Sequence, residues 1–284
     1  MLARKKKLVI PFVLSTAICA TGHALTTPPA TQFTVGVKIW HASWLSYLPA
    51  TYTGIGDNGT PAIGDSVNAV EGKSHTDIMP LLSVRHDKLF ASLSHGRFSS
   101  DFRVTSNPVI LPTGQTQITW RNDHFIRRET DLNLGYFITP EVAIAIGYKD
   151  ATETRDISLG IAPQATPLVR TTAKGFLLGA VGSFAVYEKL RFYAQAGYGP
   201  ARLKLSFADP SFGTNLKTNG RYLIGEIGLS YPVFANSNGF GGATVSLGYR
   251  TQTIKTDSYA DVFQQTRTLR DVRDGAVLSM NYTF

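Results

Sequence analysis

The chain ends on an alternating stretch of ten residues, Gly275-Ala276-Val277-Leu278-Ser279-Met280-Asn281-Tyr282-Thr283-Phe284. Apolar side chains occupy every second position from Ala276 to Phe284, and small polar side chains occupy Ser279, Asn281 and Thr283. Successive side chains of a β-strand point to opposite faces, so the stretch predicts a strand with one apolar and one polar face. An unpaired apolar edge is an aggregation hazard in water, and closing the sheet into a barrel removes it.

The aromatic residue at the end of this stretch is a second indication of a barrel. A terminal apolar strand that ends on an aromatic residue resembles the closing strand of Gram-negative outer-membrane β-barrels, where the last Phe is part of the signal read by the barrel-assembly machinery. The resemblance implies that Phe284 and Tyr282 form an assembly signal in this chain. It is a resemblance to the class and not to one family, and the edge strand of an ordinary β-sandwich is the alternative.

The composition favours membrane-crossing strands over membrane-crossing helices. Of 284 residues, 43% are hydrophobic and 17% are charged, and the mean hydropathy is -0.03. Beyond the amino terminus, no stretch approaches the roughly 18 consecutive apolar residues that a spanning helix needs. A membrane strand needs only one apolar face, so average hydropathy together with 26 Gly, 12 Tyr and 16 Phe is compatible with many such strands.

The first 24 residues have the pattern of a secretory signal peptide. A basic segment, Arg4 to Lys7, precedes an apolar segment, Leu8 to Ala20, and small residues precede the expected cleavage after Ala24. We therefore assign residues 1–24 to a signal peptide and residues 25–284 to the barrel domain. Lipidation of Cys19 is the alternative, although Ile18 stands where a small residue is expected.

The charge of the remaining chain excludes one class of partner. Without the basic segment Arg4 to Lys7, 24 basic residues remain against 20 acidic ones. This balance is too mild and too dispersed for a nucleic-acid-binding protein. Cys19 is the one cysteine, so the mature chain has no disulfide framework.

Segments with a period of two recur along the chain, and the connections between them alternate in length. The expected long connections are 45–77, 98–123, 150–170, 200–220 and 251–270, and the expected shorter ones are 86–88, 139–141, 187–189 and 232–239. Outer-membrane barrels have even strand numbers, short periplasmic turns and longer external loops. The sequence therefore predicts an all-β fold, a transmembrane antiparallel up-and-down β-barrel of about ten strands, with eight or twelve as alternatives and with both termini periplasmic.

The face opposite the apolar one carries charged residues, which we predict to line the barrel interior: Lys38, Arg127, Glu129, Asp131, Lys149, Glu226 and Arg250, with Arg85 and Arg191 at the same parity. A barrel of about eight strands is filled by its side chains, whereas one of about sixteen holds an aqueous channel. Buried charges must be paired to be tolerated, which favours a packed interior. Inward glycines such as Gly36 and Gly248 would leave room, which favours a narrow passage.

Two groups of residues near the external ends of strands predict contact with the membrane surface. Trp40 and Trp44 lie where amphipathic rings collect at a membrane interface. Arg97 and Arg128 have the outward parity, and guanidinium groups suit phosphate oxygens, so we predict that they contact lipopolysaccharide. The alternative is a β-bulge that turns one of these arginines inward.

Omptin-like proteases, phospholipases and lipid A deacylases are built on such barrels, but the chain carries only fragments of their signatures. Asp77, Asp101 and Asp123 lie in expected loops and His124 directly follows Asp123, but no omptin-like motif surrounds them. His41-Ala42-Ser43 superficially resembles the His/Ser pair of lipid A deacylases, but it lies on the first strand and not near the carboxyl end. We therefore predict no catalytic residues, no metal site and no cofactor.

The sequence as a whole predicts an exported, monomeric outer-membrane barrel without enzymatic activity. It would be a narrow solute channel, or a surface and envelope binding protein that acts through its long external loops. Its expected partners are outer-membrane lipid, lipopolysaccharide and the barrel-assembly machinery. A membrane-embedded hydrolase of lipid A, phospholipid or peptides is the alternative.

Overall fold

The computed structural model describes the barrel wall and short parts of the connections, at residues 31–45, 54–55, 61–62, 71–105, 109–110, 116–117, 120–156, 169–207, 215–235, 241–257, 259–260, 266–268 and 270–284. The expected signal peptide lies outside the described residues, as does most of the first long connection. The described part contains no helix long and apolar enough to cross a membrane.

Ten long antiparallel strands form a closed barrel, in which the last strand pairs with the first. They are β1 (Thr31–Leu45), β2 (Glu71–His86), β3 (Leu89–Thr105), β4 (Trp120–Thr139), β5 (Val142–Asp156), β6 (Val169–Tyr187), β7 (Leu190–Phe207), β8 (Leu216–Ala235), β9 (Gly242–Thr256) and β10 (Arg270–Thr283). Three short ladders lie in the long connections and pair Gly54–Ile55 with Pro61–Ala62, Val109–Ile110 with Thr116–Gln117, and Tyr259–Ala260 with Thr266–Arg267. The prediction of an all-β up-and-down barrel of about ten strands is confirmed.

Three two-residue turns, 87–88, 140–141 and 188–189, join strands at the end of the barrel where β1 begins and β10 ends. Two of them contain a residue with positive φ: Asp87, between β2 and β3, has a φ of 51°, and Glu188, between β6 and β7, has a φ of 42°. This left-handed region is uncommon for residues other than glycine and occurs in two-residue hairpin turns. The three turns account for three of the short connections expected from the sequence.

The strands extend further toward the long connections than the sequence predicts. β3 continues to Thr105 and β4 begins at Trp120, within the expected connection 98–123. β7 likewise continues past Pro200 to Phe207. Strands of 14 to 20 residues make a wall taller than a bilayer, which about 9–11 residues cross. In the extra height the outer face is polar and the inner face carries apolar side chains such as Phe102 and Leu203, so the pattern is the reverse of that in the membrane-facing part of the strand.

The alternation places apolar side chains on the outer surface of the barrel. Ile146 of β5 is 61% exposed and Leu178 of β6 is 68% exposed, whereas Leu177 is buried inside. This settles the orientation of β6, whose consecutive Phe176, Leu177 and Leu178 made its parity ambiguous in sequence. A contiguous apolar surface of this kind is rare on soluble monomers and is typical of a wall that faces lipid.

The seam between β1 and β10 closes the barrel. Its register runs without a shift from Thr34 opposite Thr283 to Leu45 opposite Val272. Below this ladder, the Phe33 N–H donates to the Phe284 carbonyl at 3.0 Å, and the Phe284 N–H donates to the Phe33 carbonyl at 2.9 Å. The two rings stack with their centroids 6.1 Å apart. Phe284 is therefore part of the seam as well as the final residue of the sequence.

We predict that Phe284→Ala lowers the amount of folded, heat-modifiable barrel in the outer membrane several-fold, because it removes the expected assembly signal. Phe33→Ala is the matched control, since it removes the same ring contact but leaves the carboxyl-terminal residue in place. Semi-native gel electrophoresis of outer-membrane fractions measures the outcome. An equal loss in both variants would assign the effect to seam packing, and normal assembly of Phe284→Ala would contradict the signal.

Candidate functional site

The predicted lumen residues point into the barrel, where they form a connected set of ion pairs. Lys38 Nζ lies 2.8 Å from Glu226 Oε2, and Arg250 Nη1 lies 3.0 Å from the same oxygen. Arg250 Nη2 also lies 3.8 Å from Asp131 Oδ2, and the other oxygen of Asp131 lies 2.5 Å from Lys149 Nζ. These side chains come from β1, β8, β9, β4 and β5, so the pairs reach across the lumen.

Arg127 of β4 is the centre of the next layer. Its Nε donates to Glu129 Oε1 at 2.6 Å and its Nη1 donates to Asp271 Oδ1 at 2.8 Å. The same Nη1 lies 3.7 Å from Glu153 Oε2. Lys149 Nζ lies 3.0 Å from Glu129 Oε2, which joins this layer to the pairs below it. The Arg127 side chain is completely buried.

A third group of contacts is organised around Arg273 of β10. Its Nη1 lies 3.4 Å from Glu129 Oε1, and its Nη2 donates to Asp77 of β2. The same nitrogen lies 3.1 Å from His75 Nε2, which in turn lies 3.5 Å from Asp77 Oδ1. We call the whole set the lumen network; it consists of Lys38, His75, Asp77, Arg127, Glu129, Asp131, Lys149, Glu153, Glu226, Arg250, Asp271 and Arg273.

Trp40 and Trp44 belong to this interior, and the prediction that they lie at the membrane interface is wrong. Both are fully buried, because the even-numbered positions of this part of β1 face inward, while His41 is exposed on the outer face. The Arg273 guanidinium carbon lies 4.2 Å from the centroid of the Trp40 ring. Trp44 Nε1 donates to Asp271 Oδ2 at 2.8 Å. The two indoles therefore pack against the charged groups of the lumen network and shield them.

The interior at the level of Lys38 is filled. A void of about 10 Å³ remains there, which is about the room for one water molecule. Gly36 and Gly248, which were expected to leave space, do not: an added Cβ would lie 2.1 Å from Asn281 Oδ1 at the first and 2.5 Å from the Tyr193 hydroxyl at the second. At this level the described interior is therefore closely packed.

The charges of the lumen network nearly balance. Its basic members are Lys38, Arg127, Lys149, Arg250 and Arg273, and its acidic members are Asp77, Glu129, Asp131, Glu153, Glu226 and Asp271. Removing ions from water is costly, and only close pairing with further hydrogen bonds offsets that cost. The near balance and the short distances supply the close pairing.

Sequence reasoning missed four acidic or basic members of the lumen network. Asp77 and Glu153 fell inside expected loops, and Asp271 and Arg273 fell between an expected loop and the closing strand. One signal was present in the sequence, because Glu153 continues the inward parity of Lys149 and Ala151. The remaining two arginines of the predicted inward set, Arg85 and Arg191, lie near the tight turns and donate to backbone carbonyls there.

Arg97 and Arg128 are exposed on the outer face, directly opposite each other in the register of β3 and β4. That register is continuous from Leu89 to Thr105, so no bulge turns either arginine inward. Like charges at opposite positions of neighbouring strands repel each other. Within the described part of the chain, neither arginine has a carboxylate partner. The pair is thus open to an anion.

The histidine and serine that resemble a deacylase pair do not contact each other in a catalytic order. His41 Nδ1 lies 3.0 Å from Thr76 Oγ1, while Ser43 Oγ lies 3.2 Å from Asp274 Oδ1. A nucleophile must be bonded to a base that a third group orients, whereas here the acid holds the serine.

The second candidate pair is an exposed ion pair on the outer wall. His124 Nδ1 lies 2.7 Å from Asp101 Oδ1, and both side chains are about half exposed. Among the described residues, no group of three or more His, Cys, Asp or Glu side chains is placed to hold a metal ion.

Comparison with solved structures places this architecture among outer-membrane proteins. The outer membrane protease OmpT from Escherichia coli matches with a TM-score of 0.51 at 13% sequence identity, over 93% of this chain and 100% of that one. Neisserial surface protein A matches with a TM-score of 0.35 at 14% identity, over 87% of this chain and 95% of that one. OprG from Pseudomonas aeruginosa matches with a TM-score of 0.32 at 12% identity, over 90% of this chain and 97% of that one. No family model and no curated protein matches the chain. The chain has the fold of an outer-membrane β-barrel. At such identities the likeness shows the fold alone.

We predict that Arg127→Met lowers the free energy of unfolding by about 3–5 kcal/mol, because it leaves Glu129, Glu153 and Asp271 buried without their shared guanidinium. Arg97→Met makes the same chemical change on the exposed wall and should alter stability by about 1 kcal/mol or less. Urea titration of the refolded barrel in lipid vesicles measures both values. Equal unfolding midpoints for the two variants would show that the network does not hold the barrel together.

Proposed function

We propose that the protein is a non-conducting, non-enzymatic barrel of the outer membrane that acts as a surface and envelope binding protein. The observation that carries this proposal is the lumen network, which fills the barrel with paired charges. The apolar outer wall supports a membrane location, and the likeness in fold to outer-membrane proteins supports the outer membrane in particular. The tight turns and both termini then face the periplasm, and the long connections face outward.

The packed interior favours binding over conduction. An ion that crossed the level of Arg127 would have to separate pairs that lie 2.6 to 3.7 Å apart, among side chains that have almost no exposure to water. Breaking a buried pair leaves an uncompensated charge and costs about 3–5 kcal/mol. We therefore place the activity on the outer wall and on the external connections, and not in the lumen.

The outer wall offers the expected lipid partner a contact. Arg97 and Arg128 form an exposed cationic pair at the height where β3 and β4 rise above the apolar band, and planar guanidinium groups bind phosphate oxygens in a bidentate manner. In this proposal they bind phosphates of lipopolysaccharide, and Phe284 with Tyr282 is recognised by the barrel-assembly machinery. The protein acts as a monomer.

We predict that the refolded mature protein gives no discrete conductance steps in planar lipid bilayers, because paired side chains block its lumen. Lys38→Glu should not create a selective pore, since its carboxylate would face Glu226 and weaken the interior. A porin measured in the same bilayers is the positive control, and heat-modifiable migration shows that each sample is folded. Discrete steps whose ion selectivity changes in Lys38→Glu would overturn the proposal in favour of a narrow channel.

A further inference from the structure

A groove of about 1050 Å³ lies on the outer wall, centred on β6, β7 and β8. Its lower rim is aromatic and consists of Tyr148, Phe176 and Tyr198, and the Tyr148 and Phe176 rings lie 5.2 Å apart between centroids. Leu178 and Leu223 lie beside Tyr198 on the neighbouring strands, and below them the wall stays apolar, as the exposed Ile144 and Ile227 show. Aromatic side chains of this kind mark the boundary between lipid and water in membrane barrels. The groove therefore begins where the apolar band ends.

Pro200 is the reason that the wall is hollow at this point. It has no N–H to donate, and the register between β6 and β7 is interrupted at Phe176 and Leu177, whereas Pro200 stays opposite Arg221 of β8. The backbones are tightly apposed here, because an added Cβ on Gly199 would lie 1.9 Å from the Phe176 carbonyl oxygen. A short proline ring thus occupies an outward position that is surrounded by longer side chains.

The longer side chains around Pro200 are basic: Lys174, Arg202, Lys204, Lys217 and Arg221. All of them are exposed, and Lys204 lies directly opposite Lys217 in the register of β7 and β8. Two acids are near: Asp257 lines the groove, and Asp150 lies 2.6 Å from Lys174. The other four basic residues have no ion pair within the described part of the chain. The groove therefore carries an excess of positive charge that the wall itself does not neutralise.

We propose that this groove binds the phosphorylated headgroup of an outer-leaflet glycolipid, the lipid A part of lipopolysaccharide. The basic side chains would bind its phosphates, and the aromatic rim with the apolar wall below it would pack against its sugars and acyl chains. A soluble anion would use only the first of these features, whereas a lipid anchored in the same leaflet uses both. The inference rests on the proposed function in one respect, which is that the long connections face the outer leaflet.

The groove is separate from the Arg97 and Arg128 pair. The row of cross-strand neighbours leads from Arg128 through Thr152 of β5 and Thr172 of β6 to Lys204 of β7. Neighbouring strands are about 4.8 Å apart, so roughly 14 Å separates the two cationic sites along this row. The two sites can therefore be tested independently.

The test uses two double variants with the same chemical change. Arg202→Gln with Arg221→Gln removes two guanidinium groups from the groove, and Arg97→Gln with Arg128→Gln removes two from the other site. Native mass spectrometry and titration of the full-length mature barrel in detergent, with bisphosphorylated lipid A as the probe, give stoichiometry and affinity. We expect the groove variant to bind about tenfold more weakly or worse, since each exposed charge contact contributes up to about 1 kcal/mol, and we expect the other variant to lose less.

Each outcome discriminates between the two assignments. Loss of binding only in the Arg97 and Arg128 variant would show that the groove does not bind lipid A, and it would support the contact proposed for Arg97 and Arg128. Unchanged binding in both variants would overturn both sites, and a wild-type barrel that binds no lipid A would overturn the lipid partner itself. The conductance experiment tests the closed lumen independently of lipid binding. All four substituted side chains are exposed, so heat-modifiable migration should match that of the wild type in both variants.

Two further probes test the chemistry of the occupant. Lipid A from which both phosphates have been removed keeps the acyl chains and should bind about tenfold more weakly, because the charge-assisted bonds are lost. Inorganic pyrophosphate keeps the charge and should not displace bound lipid A at equal concentration. Equal binding of the dephosphorylated lipid, or displacement by pyrophosphate, would overturn the assignment to a phosphorylated lipid.

Discussion

The buried guanidinium of Arg127 is the group on which the barrel interior depends. It contacts carboxylates from three strands, Glu129 beside it on β4, Glu153 on β5 and Asp271 on β10. In the closed order of strands, β5 and β10 lie on opposite sides of the barrel. The Arg127 side chain therefore contacts strands on opposite sides of the barrel. Strand number and shear set the diameter of a closed barrel, and contacts of this kind join the opposite walls across it.

The basic residues of the chain fall into two groups: those inside the barrel are paired with carboxylates, and most of those on the upper outer wall are not. Inside, Lys38 and Arg250 share the carboxylate of Glu226, so the positive charges are neutralised within the protein. On the upper outer wall, Lys204 faces Lys217 without a counter-charge in the described part of the chain. Such like-charged neighbours are unfavourable in isolation. In the proposed orientation, an outer leaflet rich in phosphate would supply the missing charge, and the wall would be complementary to its surroundings and not to itself.

Alternation along the sequence was sufficient for the fold because a barrel imposes the same two-faced environment on every strand. The inward direction of Asp131 and Glu226 follows from parity alone, since the residues that follow them, Leu132 and Ile227, are apolar and face outward. Their partners do not follow from parity: Lys38 and Glu226 are 188 positions apart, and the pair forms because β1 and β8 face each other across the closed barrel.

The parts that could not be predicted lie where the wall leaves the membrane. There the outer face is polar and the inner face apolar, so Lys204 and Lys217 were assigned to one loop, 200–220, and their pairing across the β7–β8 ladder was not predicted. Pro200 strengthened that interpretation, because proline is unfavourable inside a sheet. The structure accommodates it by interrupting one ladder, and that interruption also creates the groove. Pro200, which led to the prediction of a loop in place of a strand, therefore also shapes the candidate site.

The packed interior also determines where this barrel can acquire a specific activity. Substitutions within the lumen network leave buried charges without partners and cost several kcal/mol each, on the order of a large part of the stability of a domain. Substitutions of exposed wall residues such as Arg202 or Arg221 change stability by about 1 kcal/mol or less. Binding specificity can therefore change on the wall without loss of the fold, whereas the lumen cannot be opened without dismantling the contacts that hold opposite walls together. The contrast between a paired-charge interior and an unpaired basic surface follows from the cost of burying ions, and it favours recognition at the surface over transport through the centre.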